Sequence, residues 1–179
     1  LINVDTAADK TFALVFETGA ILTGNDQVIY EQGGATNGLN IFISDGSGTP
    51  HLYANIWEGG NTGSFDQLDL GAVIVSTAYT LIVEFDTTSG EIRGSVNGIA
   101  VTAQTSNNVG ASIPGHTGAV GIGQVSQDSR TYNNTSLSGD GLYFNGKIAE
   151  IANWNEIFTG AELTDIQTQV DNITTNTTN

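Results

Sequence analysis

Apolar and polar residues alternate along most of this chain in short runs bounded by Gly, Asn, Asp and Ser. A period of two is the mark of half-buried strands. Phe12, Leu14 and Phe16 alternate within TFALVFET. QVIYEQGG, GLNIFISDG and HLYANIW follow, then a polar loop, then GAVIVS and TLIVEFD. EIRGSV and IAVTAQ flank Asn97-Gly98, the pair best suited to a two-residue type I′ hairpin. AVGIGQV and YFNGKIAEIANW complete the set. About nine or ten strands at this spacing predict an all-β antiparallel fold, a sandwich of jelly-roll kind or a barrel.

The period changes only near the C-terminus. Leu163, Ile166 and Val170 stand at helical spacing and form one apolar stripe. Thr159 precedes Glu162 by the interval of a capping box, so a short helix is expected here. The terminal NITTNTTN offers little to bury. The chain therefore reads as one domain over residues 1–172, with 173–179 as a linker or frayed tail.

Composition sharpens this picture in three ways. Nineteen acidic residues against four basic ones give a net charge of −15, which repels phosphate backbones and argues against nucleic acid. The same carboxylate surplus suits solubility, and it also suits Ca2+, which prefers oxygen ligands. Cysteine is absent, so neither a disulfide framework nor a thiol nucleophile exists. No apolar run approaches the roughly 20 residues needed to cross a bilayer, so membrane insertion is not expected. With Leu1 rather than Met in first place, the chain is expected to be a piece of a longer, exported protein.

Catalytic sets are missing from the pattern. Glu84-Phe85-Asp86 lacks the third acid of the Glu-x-Asp-x-x-Glu arrangement found in sandwich glucanases, and it runs into the turn Thr87-Thr88-Ser89-Gly90. His51 and His116 stand beside prolines in turn-like contexts, and no serine occupies a Gly-x-Ser-x-Gly elbow. A binding role, not an enzyme, is expected. Two loops carry the chemistry for it. Residues 127–141, QDSRTYNNTSLSGDG, offer Asp128, Asn133, Asn134 and Asp140; residues 31–38, EQGGATNG, offer Glu31, Gln32 and Asn37. Asp140 also reads as a simple turn cap between two glycines. Gly33 and Gly34 allow close backbone approach to a ligand. Arg130 either forks onto a ligand carboxylate beside Tyr132 or pairs with a surface acid. Trp154 reads chiefly as a core residue; Trp57, ending a strand at a Gly-rich loop, reads either as a core plug or as a ring that stacks on a sugar. Four Asn-x-Ser/Thr sequons, at Asn133, Asn134, Asn172 and Asn176, match chance in so Asn- and Thr-rich a chain.

VIYEQGGATNGLNIFI, VEFDTTSGEIRGSVNGIAV, GAVGIG and SGDGLYFNGKIAEIANWN with its following helix resemble the concanavalin A-like, laminin-G-type sandwiches. The resemblance covers roughly Asp9 to Val170. Within that superfamily the EQGG and SGDG pair is similar to ligand-binding modules of bacterial RTX adhesins. It implies a calcium-dependent, extracellular cell-surface module, monomeric within a longer chain and active in cell adhesion or biofilm. Its ligand would be a peptide with a free C-terminus on a target cell. Metal ligation would fall on Asp128, Asp140, Glu31 and Asn133. Ligand contacts would fall on Gln32, Gly33, Gly34, Arg130, Tyr132 and Asn134. The alternative is a lectin-like, carbohydrate-binding module of an adhesin or secreted enzyme that uses the same edge.

Overall fold

A computed structural model describes residues 9–59, 64–109, 115 and 118–177. In chain order the strands are β1 (Lys10–Thr18), β2 (Gln27–Gly33), β3 (Gly38–Ser44), β4 (His51–Glu58), β5 (Ser64–Ala72), β6 (Ala78–Asp86) and β7 (Glu91–Val96). They continue with β8 (Ile99–Ala100), β9 (Gln104–Thr105), β10 (Val120–Ile122), β11 (Asp128–Arg130), β12 (Ser136–Ser138) and β13 (Gly146–Trp154). The helix α1 (Gly160–Thr177) follows.

The pairing is antiparallel throughout the named strands and gives two large sheets and a two-stranded ribbon of β11 and β12. One runs β13-β1-β6-β7-β8, with β9 also on β7; the other runs β10-β2-β3-β4-β5. Alternation then decides the core. Phe12, Leu14, Phe16, Leu81, Val83 and Phe85 point from the first sheet into one cluster with Ile29, Leu39, Ile41, Ile43, Ile56 and Leu68 of the second. This is the inside of a β-sandwich with a C-terminal helix, as the period of two predicts. Asn97 and Gly98 both adopt positive φ, as a type I′ turn requires.

Two elements depart from the pattern reading. The stretch taken as a polar loop before GAVIVS holds β5, an edge strand whose inward residues are Leu68 and Leu70 while Asp66 and Asp69 stay polar. An edge strand needs few apolar positions, so its signal is weak. GAVIVS itself contributes only Gly71 and Ala72 to that strand, leaving Ile74 and Val75 exposed in the following loop. At the C-terminus α1 runs on to Thr177, and Ile173 joins Trp154, Phe158 and Leu163 against Ala13, Val15, Ile82, Ile166 and Val170. The helix thus covers the outer face of the first sheet.

Candidate functional site

The outer face of the second sheet is polar where the inner face is apolar. Cross-strand register places Glu31 beside Asn40, Asn40 beside Asn55, and Asn55 beside Gln67. Directly paired residues share a face at close range, so these four form a polar row across β2, β3, β4 and β5. Next to it lies an apolar patch of Val28, Phe42 and Tyr53.

A ribbon of β11 and β12 lies over this face. Val125, Leu137 and Leu142 cover the apolar patch, and the Tyr132 ring stands 5.4 Å from that of Tyr53. The polar row fastens the ribbon. Asn40 Nδ2 donates to Ser129 Oγ at 2.9 Å and to the Arg130 carbonyl at 2.7 Å, and Asn55 Nδ2 donates to the same carbonyl at 3.1 Å. Gln67 in turn donates to Asn55 Oδ1 at 3.0 Å.

Arg130 joins the two loops. Its side chain is 2% exposed. Nη2 and Nε donate to the Ala35 carbonyl at 3.1 and 3.3 Å, and Nη1 donates to Asn134 Oδ1 at 2.8 Å. Burial pulls its pKa below the ordinary guanidinium value. Loops 31–38 and 127–141 therefore do meet, through Arg130.

Between them opens a cleft of about 480 Å³ lined by Gly34, Ala35, Thr36, Asn37, Gly118, Gln127 and Asp128, among others. Behind its Asp128 wall sits the most unusual group in the molecule. Glu31 is fully buried, and neither carboxylate oxygen reaches a hydrogen-bond partner. The neighbouring Asn40 Oδ1 and the Ser126 hydroxyl are buried and unsatisfied as well. Burial pushes the Glu31 pKa up to about 8; Ser126 pulls it back in part, and the Asp128 charge adds to the rise. Ser126, through its N–H and hydroxyl, is the donor turned toward Glu31, and buried polar groups this sparsely paired are costly.

The placement of the sequence-derived residues follows. Asp128 is half-buried, its Oδ1 accepting from the Gly139 N–H at 3.3 Å. Asp140 is exposed between Gly139 and Gly141, both at positive φ, and Asn133 is exposed in a left-handed turn residue position. Among the described residues no three Asp, Glu or His side chains gather as a metal-holding group, so Glu31, Asp128 and Asp140 do not form one carboxylate cluster. Gln32 is buried and accepts from the Tyr30 hydroxyl at 2.9 Å on the core side of β2. Gly33 does serve close approach, but of chain to chain: a Cβ on Gly118 would fall 1.5 Å from the Gly33 carbonyl oxygen. Gly34 accepts from Trp57 Nε1 at 2.9 Å and also lines the cleft. Tyr132 packs inward over Tyr53 and Gly46, and Asn134 is taken up by Arg130. His116 lies outside the described residues.

Asn40 and Ser126 are absent from the sequence reading. The signal for Asn40 is a matched pair, Asn-Ile-Phe in β3 and Asn-Ile-Trp in β4, each with an Asn inside an otherwise apolar run. Ser126 carries none, since only the fold brings it to Glu31.

The side chains of Glu31, Asp128, Asn40 and Ser126 all carry oxygen atoms, the donor type that a hard cation such as Ca2+ takes.

No protein-family model matches the sequence, and no curated protein matches it. Solved structures do. The CBM40 module of the Ruminococcus gnavus IT-sialidase is 14% identical with a TM-score of 0.60, over 90% of this chain and 84% of that one. A Bacteroides ovatus protein described as carbohydrate binding is 15% identical with a TM-score of 0.61, over 90% and 42%. Domains LG4-5 of the mouse laminin α1 chain are 13% identical with a TM-score of 0.61, over 85% and 37%. The fold is thus a concanavalin A-like, laminin-G-like sandwich, and at these identities the likeness is one of fold.

Proposed function

We propose that this chain is a non-catalytic, extracellular glycan-binding module whose site is the cleft between residues 34–37 and 118–128, assisted by a Ca2+ held at Glu31 and Asp128. The carrying observation is the buried, sparsely paired polar cluster of Glu31, Asn40 and Ser126 beside Asp128, which lines a polar cleft. Asn37, Gln127 and Asp128 present amide and carboxylate groups, which exchange hydrogen bonds with vicinal hydroxyls. The structural neighbours support this reading: the sialidase module has been solved bound to α2,6 sialyllactose. A cation at Glu31 and Asp128 neutralises charge that burial disfavours and fixes the wall against which a sugar rests. No described helix is long and apolar enough to cross a membrane.

The peptide reading, with its RTX-adhesin parent, asks Arg130 and Gln32 to receive a C-terminal carboxylate and backbone. Both side chains are committed within the protein, which favours the glycan. A glycan array in calcium tests the two together with a free-carboxyl peptide library and its amidated counterpart. The expected result is a glycan hit that weakens about tenfold or more in Asp128→Ala and in chelator. Peptide binding abolished by amidation, with no glycan hit, replaces this reading with the peptide one. Binding to neither overturns both.

A further inference from the structure

A second cleft, of about 300 Å³, lies at the opposite end of β2 and is lined by Ile21, Thr23, Asn25, Asp26, Tyr143 and Asn145, with Gln27 and Leu142 at its base. Tyr143 is 66% exposed, and Ile21 beside it is 61% exposed. An exposed aromatic ring on a mobile tip has little meaning, but this one stands on a fastened segment. Val28 N–H donates to the Leu142 carbonyl at 2.8 Å, Phe144 N–H to the Gly123 carbonyl at 2.8 Å, and Asn145 N–H to Gln27 Oε1 at 2.9 Å. Tyr143 itself bridges to Val28 of β2.

The residue before it is strained. Leu142 adopts φ of +49°, a left-handed conformation that a bulky side chain rarely takes. Its side chain packs with Val28, Phe42 and Tyr53, so burying Leu142 turns the chain and leaves the next ring facing solvent. Strain of this kind gathers where a side chain is being aimed.

The opposing wall is also fastened by its backbone and open in its side chains. Gln27 Nε2 donates to the Ile21 carbonyl at 2.8 Å, Gly24 N–H donates to Asp45 Oδ2 at 2.9 Å, and Leu22 is buried in the core. Among the described residues the side chains of Thr23, Asn25 and Asp26 form no hydrogen bond within the protein. A rigid aromatic face opposite a hydroxyl, an amide and a carboxylate matches one ligand chemistry well. A pyranose ring has an apolar C–H face to lay on the aromatic ring and a rim of hydroxyls for the polar wall.

We infer that Tyr143, Asn25, Asp26 and Thr23 form a second sugar subsite, for a neutral pyranose unit, separate from the Asp128 cleft. It takes its ligand class from the glycan reading above and places it at a new location. β2 has seven residues, which at about 3.3 Å each sets the two clefts roughly 20 Å apart. That span exceeds one disaccharide, so the two subsites would engage separate branches or separate glycans and raise avidity without further contacts.

The test uses methyl β-glucopyranoside, methyl β-galactopyranoside and methyl α-mannopyranoside as probes, titrated by saturation-transfer NMR against wild type, Tyr143→Ala, Tyr143→Phe, Asp128→Ala and the Tyr143→Ala/Asp128→Ala pair. Tyr143→Ala is expected to weaken at least one probe about tenfold, Tyr143→Phe to stay within about threefold, and the loss to persist on the Asp128→Ala background. Unchanged melting temperatures confirm that the exposed ring carries no fold stability. Binding that ignores Tyr143 on both backgrounds, or no probe binding by wild type, overturns the subsite. Loss through Tyr143 with none through Asp128 keeps the subsite and shows that it binds a neutral pyranose independently of the first cleft.

Discussion

Glu31 concentrates the electrostatics of the molecule in one side chain. Its carboxyl is buried beside the Asp128 charge, and burial outweighs the opposing pull of Ser126, so the protonated form is favoured in the folded state. Its pKa rises from 4.5 to about 8. The unfolded chain releases this proton near the ordinary value while the folded chain retains it. In metal-free solution the stability from this group is therefore full below about pH 4.5 and is lost as pH climbs toward about 8. Thermal melts in chelator are expected to show a melting temperature that falls across this window. Glu31→Gln is expected to flatten that dependence and raise the melting temperature at pH 8, because it removes the charge and places an amide donor beside Asn40 Oδ1. The same variant should lose the stabilisation that calcium gives wild type at pH 8. A Glu31→Gln protein that still gains stability from calcium would move the cation away from this residue.

At the scale of elements, the β11–β12 ribbon is what turns a sheet face into a cleft. It is held at the Arg130 carbonyl by Asn40 and Asn55, and through the guanidinium by Ala35 and Asn134. The fork reaches two acceptors on different segments, which a single ammonium cannot reproduce. Arg130→Ala and Arg130→Lys are therefore both expected to destabilise the domain by about 1.5–3 kcal/mol and to speed hydrogen exchange over residues 126–138. A ligand-contacting Arg130 would instead lower binding and leave exchange unchanged, so the pair of measurements separates the two roles. This element also marks how far the sequence could be read. The alternation and the Asn97-Gly98 hairpin are local patterns, and they are legible, whereas the meeting of the two loops, brought about by the Arg130–Ala35 contact across 95 residues of chain, depends on strand order. That Arg130 faces inward, that Gln32 turns to the core and that Asn40 underlies the site all depend on register and on which face the ribbon covers. A one-residue change in register reverses a side chain's face, and the β2–β3 pairing shifts between Val28 and Tyr30 just before Glu31 and Gln32. β5 was hidden for a different reason: an edge strand with two inward leucines and several acids looks like a loop.

For the whole molecule, the sandwich separates stability from binding. Helix α1 seals the outer face of the first sheet, and both clefts border β2 in the second sheet. Ile166 and Val170 pack on Ala13, Val15 and Ile82, residues whose neighbours on the same strands, Leu14 and Val83, belong to the main core. Loosening the helix therefore weakens the sandwich from behind, while the core stands between it and the site. Ile166→Ala is expected to cost about 2–3 kcal/mol, low in the range for aliphatic truncations because Ile166 lies at the border of its cluster and neighbours can relax. Denaturant melts read that loss. Glycan affinity measured well below the melting temperature should stay within about twofold of wild type, since sites this far apart without shared partners behave independently. A fall in affinity that tracks the loss of stability would instead show that the helix face and the clefts form one cooperative unit, and that the second sheet alone does not hold the ribbon in place.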